Sequence, residues 1–97
     1  MIIFSYPIIK RFIEEHRDVA DAMNNWYSVM KLTEFVNYRE LKQVFGTVEG
    51  VGNDRYVFDI KGNKYRIIAM IHFNVRTAYI RFVGSHKQYD KIDAKTI

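Results

Sequence analysis

Residues 66–73 read RIIAMIHF and residues 78–90 read AYIRFVGSHKQYD, and these two stretches decide the fold. Both contain apolar runs rich in β-branched and aromatic residues, which favours two neighbouring strands. Successive side chains of a strand point to opposite faces, so Arg66 and His72 are predicted to share one face. The same rule places three side chains of the second strand together, namely Tyr79, Arg81 and Val83. Charged and titratable groups held on a sheet in this way are what a binding or catalytic site requires.

The chain ahead of these strands predicts one short strand followed by helices. The apolar segment at residues 2–4 is typical of a strand. Pro7 fits the first turn of a helix, where a missing N–H costs nothing, and Asp18 and Asn37 are predicted to cap a second and a third helix. Three large apolar residues of the second helix recur at helical spacing and are predicted to be buried: Met23, Trp26 and Met30.

After the helices, the hydrophobic period changes to that of strands. Residues 50–54, rich in glycine, asparagine and aspartate, predict a loop. An antiparallel meander of three strands is predicted at residues 56–60, 64–73 and 77–83, with a tight connection at residues 61–63. Ser85 is predicted to cap a last helical segment that runs to residue 93. The expected fold is α+β in a single domain over residues 1–97: a small antiparallel β-sheet with N-terminal helices packed on one face and a short C-terminal helix. The other face stays free for a ligand.

Composition narrows the class of protein. The 97 residues carry a formal net charge of +4, which favours an anionic partner such as nucleic acid, a membrane surface or an acidic protein. The absence of cysteine excludes a disulfide framework, a cysteine-ligated zinc site and a thiol nucleophile. The opening MIIFSYP is too short for the apolar core of a signal peptide, and no run reaches the length of a membrane span. We therefore expect a cytoplasmic protein.

The titratable residues do not match the patterns of metal sites or hydrolases. The three histidines, His16, His72 and His86, lack the close spacing of a metal-ligand set. Ser85 adjoins His86, which is a poor arrangement for proton transfer between two side chains, and no Gly-x-Ser-x-Gly elbow is present. A glycine-rich phosphate loop is missing as well. We therefore expect neither a metal nor a cofactor.

Cationic recognition combined with proton transfer is the chemistry that these residues favour. Arg66 and Arg81 offer guanidinium groups that suit a phosphate. The imidazole of His86 titrates near neutral pH and can act as acid or base. If its segment is helical, Tyr89 and Asp90 fall on the same side as His86. Cleavage of RNA by its own 2′-hydroxyl needs a base, an acid and cations for the phosphate, and this cluster holds candidates for each role.

A structural explanation of the same residues stays open. The two arginines can be solvated positions on the free face of the sheet, and His86 can cap a helix. Tyr89 can pack on the core with its hydroxyl exposed. His72 is predicted on the Arg66 face, where it either lines the site or is a partly buried structural histidine.

Three segments carry a resemblance to a known family: residues 66–73, residues 79–83 and residues 86–90. The spacing of Arg, Arg, His, Tyr and Asp across them resembles the C-terminal signature of the HigB family. These proteins are the toxins of HigB–HigA toxin–antitoxin modules, within the RelE-like superfamily. The likeness extends more loosely over the earlier chain, through the first strand, the helices with their LKQVF segment at residues 41–45, and YVF at residues 56–58.

The resemblance implies a bacterial growth inhibitor that cleaves messenger RNA. Such an mRNA interferase is an endoribonuclease, and the resemblance implies that it acts in the A site of the translating 70S ribosome. It also implies a cognate HigA-type antitoxin, a helix-turn-helix protein that neutralises the toxin. Operator DNA would be contacted only through that antitoxin. No metal, cofactor or membrane takes part in the implied activity.

The roles of single residues follow from the matched positions and from their chemistry. Four residues are predicted to be catalytic: Arg66, Arg81, His86 and Tyr89. Four further residues are predicted to contact RNA: Lys64, Lys87, Asp90 and Lys91. We expect Arg81 to contact the scissile phosphate, Arg66 to position the RNA, and His86 or Tyr89 to exchange protons. Two other functions share the fold: an inactive RNA-binding relative, and a protein-interaction module whose basic face binds an acidic partner.

Overall fold

The chain begins with one strand and three α-helices, continues with four strands and ends with one short helix. A computed structural model describes all 97 residues. The strands are β1 (Ile2–Phe4), β2 (Glu49–Gly52), β3 (Arg55–Ile60), β4 (Tyr65–His72) and β5 (Thr77–Ser85). The helices are α1 (Tyr6–Glu15), α2 (Ala20–Leu32), α3 (Tyr38–Val44) and α4 (His86–Tyr89), with 3₁₀ turns at Arg17–Val19 and Phe73–Val75. None of the helices combines the length and the apolar character needed to cross a membrane.

The five strands form one sheet in the order β1-β5-β4-β3-β2. Strands β2 to β5 are an antiparallel meander, as predicted, whereas β1 pairs with β5 in parallel. The expectation of a purely antiparallel sheet is therefore wrong at its first strand, and the sheet is mixed. The chain passes through all three N-terminal helices between β1 and the meander, and such a long connection permits parallel pairing. Local sequence carries no signal for that choice.

The predicted loop at residues 50–54 is in large part a strand. Glu49–Gly52 pairs with β3, and only Asn53 and Asp54 form the tip of a tight turn. Both tip residues have positive φ, 53° and 60°, a conformation that asparagine and aspartate tolerate. The glycines ahead of the tip made the whole segment resemble a loop. The α+β class itself is confirmed.

Two of the three predicted helix starts are confirmed. Pro7 lies in the first turn of α1, and the Asn37 side chain accepts a hydrogen bond of 2.9 Å from the backbone N–H of Glu40 at the start of α3. The prediction for α2 is wrong, because Val19 holds the cap position without a side-chain bond. Asp18 instead accepts hydrogen bonds from Tyr65 Oη at 3.0 Å and Lys64 Nζ at 3.0 Å. The carboxylate thus ties the helices to the sheet.

The helices pack on one face of the sheet, as predicted. The core of 18 buried residues includes the predicted Met23, Trp26 and Met30 of α2. The Trp26 ring meets the Phe58 ring of β3 edge-on, with centroids 5.1 Å apart. Large apolar side chains of β3 and β4 on this face belong to the same core, namely Phe58, Ile60, Tyr65, Ile67 and Ile71. The alternate side chains of both strands therefore point to the other face.

A β-bulge in β5 changes which of its side chains face away from the helices. Ile68 pairs with Phe82 and the next residue, Ala69, pairs with Ile80, so Arg81 is the extra, unpaired residue. Past the bulge the alternation is reversed. Phe82 joins the face of Ile68, and Val83 turns toward the core. The prediction that Tyr79, Arg81 and Val83 share one face is therefore wrong at Val83.

Candidate nucleic-acid interface

The sheet face opposite the helices carries two of the predicted site residues, Arg66 and Arg81, and we call it the open face. It is formed by alternate residues of three paired strands: Arg55, Val57 and Asp59 of β3, Arg66, Ile68, Met70 and His72 of β4, and Tyr79, Arg81 and Phe82 of β5. Three arginines thus reach this face. The bulge allows Arg81 to be one of them without displacing Tyr79 or Phe82 from it.

Arg66 is held between a carboxylate and an aromatic ring. It lies directly across from Asp59 in the β3–β4 ladder, and its Nη1 forms an ion pair with Asp59 Oδ1. Its guanidinium carbon lies 5.3 Å from the centroid of the Tyr89 ring, within the range of a cation–π contact. The Arg66 side chain is only 14% exposed and that of Asp59 only 26%. The guanidinium is therefore fixed in place, and its charge is already compensated.

A cavity of about 150 Å³ opens beside this group. Its lining consists of Thr47, Glu49, Val57, Asp59, Arg66 and Tyr89. Two carboxylates against one arginine give the cavity a negative balance, which does not favour a phosphate inside it. Its volume is also below the roughly 300–1,000 Å³ of common ligand pockets. A nucleic acid would therefore cross the open face rather than enter this cavity.

Helix α4 is a short helix with a strong start, and it carries the titratable cluster. Ser85 Oγ accepts a hydrogen bond from Gln88 N, and Gln88 Oε1 accepts one of 2.8 Å from Ser85 N, which is the reciprocal capping box. The cap predicted at Ser85 is confirmed, whereas the prediction that the helical segment runs to residue 93 is wrong, because α4 ends at Tyr89. The backbone N–H of His86 donates to the Lys64 carbonyl at 3.0 Å and fastens the helix to the strand that carries Arg66.

His86 is oriented by a carboxylate one turn further along. Its Nδ1 lies 3.2 Å from Asp90 Oδ2, and its side chain is 46% exposed. With Nδ1 facing Asp90, the other ring nitrogen, Nε2, is left to contact solvent or a ligand. Tyr89 and Asp90 thus lie where helical spacing predicts them. The carboxylate of Asp90 contacts the imidazole of His86, whereas the sequence predicted that Asp90 contacts RNA.

Arg81 lies on the open face but apart from the Arg66 group. It sits at the bulge opposite Ile68 and Ala69, so it is roughly 7–10 Å along the sheet from Arg66. Its Nε donates to the main-chain oxygen of Ile97 at 3.2 Å. Arg55 donates to the same oxygen, through Nε at 3.3 Å and Nη2 at 2.8 Å. Neither arginine has an aspartate or glutamate side chain within ion-pair distance.

The three predicted lysines differ in their surroundings. Lys64 is engaged by Asp18 on the helix side of the sheet, and their hydrogen bond raises the pKa of Lys64. The same bond, together with those from Tyr65 and Lys61, lowers the pKa of Asp18 well below its usual range. Lys87 and Lys91 are exposed at α4 and just after it, without an ion-pair partner. These two lysines extend the positive charge near His86.

His72 lies at the far end of the open face. It is six residues along β4 from Arg66, a distance of roughly 20 Å in a strand. Its Nδ1 is 3.9 Å from Asp54 Oδ2, and its ring meets Tyr79 edge-on with centroids 5.9 Å apart. His72 therefore does not join His86. No three His, Cys, Asp or Glu side chains lie close enough together to hold a metal ion.

Sequence reasoning missed two residues of the open face, Arg55 and Asp59. A signal for both was available, because Tyr56, Phe58 and Ile60 alternate with them and are typical of core positions. A strand that begins at Arg55 instead of Tyr56 places the guanidinium of Arg55 on the same face as Arg66. The contact of both Arg55 and Arg81 with Ile97 had no local signal, since it joins residues 42 and 16 positions apart.

A known family matches most of this chain. The family model HigB_toxin, described as the RelE-like toxic component of a toxin-antitoxin system, matches residues 19–92. The mRNA interferase HigB of Escherichia coli O6:H1 (strain CFT073) is 29% identical over 94 residues, which cover 95% of this chain and 91% of that protein. The mRNA interferase toxin HigB of Escherichia coli K12 is 38% identical over 58 residues, or 58% of this chain and 56% of that protein. The chain belongs to the HigB_toxin family, the RelE-like toxic components of toxin–antitoxin systems.

Proposed function

We propose that this toxin is an endoribonuclease that cleaves messenger RNA in the A site of the translating 70S ribosome. The family supports a toxin with an antitoxin partner, and the two relatives named mRNA interferase support messenger RNA as the substrate. The proposed antitoxin is a HigA-type helix-turn-helix protein, through which alone the pair contacts operator DNA. The site of action is the cytoplasm, where messenger RNA is translated.

The observation that carries the proposal is the contact of His86 Nδ1 with Asp90 Oδ2 at 3.2 Å on a helix that also brings Tyr89 against Arg66. A carboxylate on Nδ1 orients an imidazole, as in other acid–base sites. The half-exposed ring then offers Nε2 to the substrate. We assign proton exchange to His86, with Tyr89 as the second candidate, and a positioning role to Asp90.

The proposed chemistry is attack of a ribose 2′-oxygen on the adjacent phosphorus. A base takes the 2′-hydroxyl proton, the bond from the 2′-oxygen to phosphorus forms, and the bond to the 5′-oxygen breaks. An acid protonates the leaving 5′-oxygen, so the products are a 2′,3′-cyclic phosphate and a 5′-hydroxyl. Arg81 stabilises the charge that develops on the phosphate, because no aspartate or glutamate side chain competes for it. Side chains alone supply these roles.

The remaining cations position the RNA. Arg66 supports Tyr89 and the edge of the substrate path, and its ion pair with Asp59 limits its direct effect on a phosphate. Lys87 and Lys91 project from the end that carries His86, where we propose contacts with the RNA backbone or with ribosomal RNA. The positive charge of Lys64 is already paired with the carboxylate of Asp18, so we assign Lys64 no contact with RNA in this arrangement.

The decisive experiment expresses the chain without its antitoxin and maps new 5′ ends on translated messengers. The wild type is expected to arrest growth and to generate 5′-hydroxyl ends. Arg81→Ala and His86→Ala should each lower the cleavage rate by about a hundredfold or more, the usual loss for a charge-stabilising or acid–base group.

Two variants serve as matched controls. Arg39→Ala removes one positive charge from α3, on the helix side, and His16→Ala removes a histidine at the end of α1, away from the open face. Both should cleave at the wild-type rate. Folded Arg81→Ala and His86→Ala proteins with unchanged cleavage would contradict the assigned roles. A wild type that binds RNA in translating ribosomes without cutting it would identify an inactive RNA-binding relative.

A further inference from the structure

Arg55 and Arg81 converge on one acceptor atom of the open face. The main-chain oxygen of Ile97 receives Arg55 Nη2 at 2.8 Å, Arg55 Nε at 3.3 Å and Arg81 Nε at 3.2 Å. Three N–H donors from two guanidinium groups around one oxygen reproduce the donor arrangement that binds a phosphate oxygen. The acceptor in the structure is the main-chain oxygen of Ile97, which lies at the place where a phosphate oxygen would bind.

No aspartate or glutamate side chain lies within ion-pair distance of this pair. Arg66, by contrast, has Asp59, and Arg76 has Glu34 within 3.9 Å. Arg55 is further oriented by Nη1, which donates to the Asn53 carbonyl at 2.9 Å and lies 3.4 Å from Met70 Sδ. Its direction is therefore set by the β2–β3 turn before any ligand binds. Two like charges held close together without an acidic side chain favour the binding of an anion.

We propose that Arg55 and Arg81 form a phosphate-binding subsite for the RNA backbone, and that residues 93–97 occupy it while no RNA is bound. This inference rests on the proposed function for the identity of the ligand as RNA. It adds Arg55 to the residues that bind substrate. It also makes release of the chain around Ile97 a step that precedes productive binding.

The segment that fills the subsite is attached by few bonds. Asn53 Nδ2 donates to the Lys95 carbonyl at 3.0 Å, and the remaining hydrogen bonds of the segment lie within its own turn around Asp93. An RNA phosphate presents several charged oxygens to the two guanidinium groups, whereas the segment presents the one oxygen of Ile97. An RNA phosphate can therefore displace Ile97 and keep all three donors satisfied.

The test follows the arginine side chains of the unaltered protein by NMR. The Nε–Hε signals of Arg55 and Arg81 are recorded during titration with inorganic phosphate, and then with a short single-stranded RNA whose riboses are 2′-O-methylated. Such an RNA lacks the attacking hydroxyl and stays intact. Both signals and the amide of Ile97 should shift together and reach saturation, while the Nε–Hε signal of Arg11 in α1 should not move. Signals of Arg55 and Arg81 that stay fixed with both probes would overturn the subsite.

Variants then measure the strength of the subsite. Arg55→Ala should weaken binding of the same RNA about tenfold, the low end for loss of a hydrogen bond to a charged group, and Arg55→Lys should recover part of it. The slope of log affinity against log salt should fall by about 0.7, the value for one phosphate contact with a single strand. Arg11→Ala removes the same charge from the helix side and should leave both values unchanged.

A variant without residues 93–97 tests whether this segment competes with RNA for the subsite. It should bind RNA about 2- to 10-fold more tightly, because the competing main-chain bonds are gone. Equal or weaker binding by this folded variant would contradict the role of Ile97.

Failure of the inference is distinct from failure of the proposed function. Normal messenger cleavage by Arg55→Ala with wild-type RNA affinity overturns only the subsite, whereas shifts at Arg55 and Arg81 without cleavage by the wild type overturn only the nuclease.

Discussion

Two pairs of cations in this protein look alike in the sequence and differ in their surroundings. Arg66 and Lys64 each have a carboxylate partner, Asp59 and Asp18. Arg55 and Arg81 have no aspartate or glutamate partner, and they share the main-chain oxygen of Ile97 instead. A cation paired with an acidic side chain holds the fold together and offers little charge to a ligand, while a cation without such a partner does the reverse. Under the proposed function, the difference separates the structural cations of the sheet from those that we propose to bind RNA.

The sharpest contrast in stability is expected between Arg66→Ala and Arg81→Ala. Removing Arg66 leaves Asp59 without its partner on a mostly buried part of the open face, which should cost about 1–3 kcal/mol of unfolding free energy. Removing Arg81, an exposed residue at a bulge, should change it by less than about 0.5 kcal/mol. Urea unfolding of the two variants and the wild type measures both values.

A double variant checks that the loss at Arg66 comes from its ion pair. Asp59→Ala combined with Arg66→Ala should lose less stability than the sum of the two single variants, since neither charge is then left alone. Strict additivity would show that Arg66 stabilises the fold by packing on Tyr89 and not through Asp59. Equal losses for Arg66→Ala and Arg81→Ala would remove the distinction between the two pairs.

The pairing of Asp18 predicts a smaller, pH-dependent effect. Hydrogen bonds, first that from Lys64, lower the folded-state pKa of Asp18 below the value of about 3.9 in an unfolded chain. A depressed pKa stabilises the folded state above the unfolded pKa, and the contribution disappears as the pH falls through the folded pKa. Asp18→Asn should therefore be less stable than the wild type at pH 7, and the difference should narrow below about pH 4.

The measurement is a set of urea unfolding curves of both proteins between pH 7 and pH 2.5. Asp21→Asn is a suitable control, because Asp21 lies in the first turn of α2 without an ion pair to the sheet. Its difference from the wild type should not follow the same pH course. A gap between Asp18→Asn and the wild type that widens on acidification would contradict the paired state of Asp18.

Much of what the sequence predicted correctly was local. The cap at Asn37, the capping box at Ser85 and the tight connection between β3 and β4 each depend on a few neighbouring residues. The placement of Tyr89 and Asp90 beside His86 follows from helical spacing within five residues. These features are fixed by backbone geometry that short segments largely determine.

What could not be predicted depends on partners far away in the chain. The bulge at Arg81 depends on how β4 and β5 pair. Asp18 does not cap α2, because its carboxylate binds side chains more than 40 residues away in the sequence. The sequence predicts that both Arg66 and Arg81 are catalytic, and it does not show that Asp59 pairs with the one while the oxygen of Ile97 contacts the other. The type of a residue shows which chemistry its side chain can perform. Long-range packing decides whether that side chain is available to a ligand.

The smallest effect expected from this distinction is on the salt dependence of RNA binding. Lys87→Ala removes an unpaired charge beside His86 and should lower the slope of log affinity against log salt by about 0.7. Lys64→Ala removes a charge that Asp18 already compensates, so its slope should stay at the wild-type value. Binding of the 2′-O-methylated RNA across a potassium chloride series measures both. A slope lowered equally by the two variants would mean that RNA draws Lys64 away from Asp18, because only a released ammonium adds a phosphate contact.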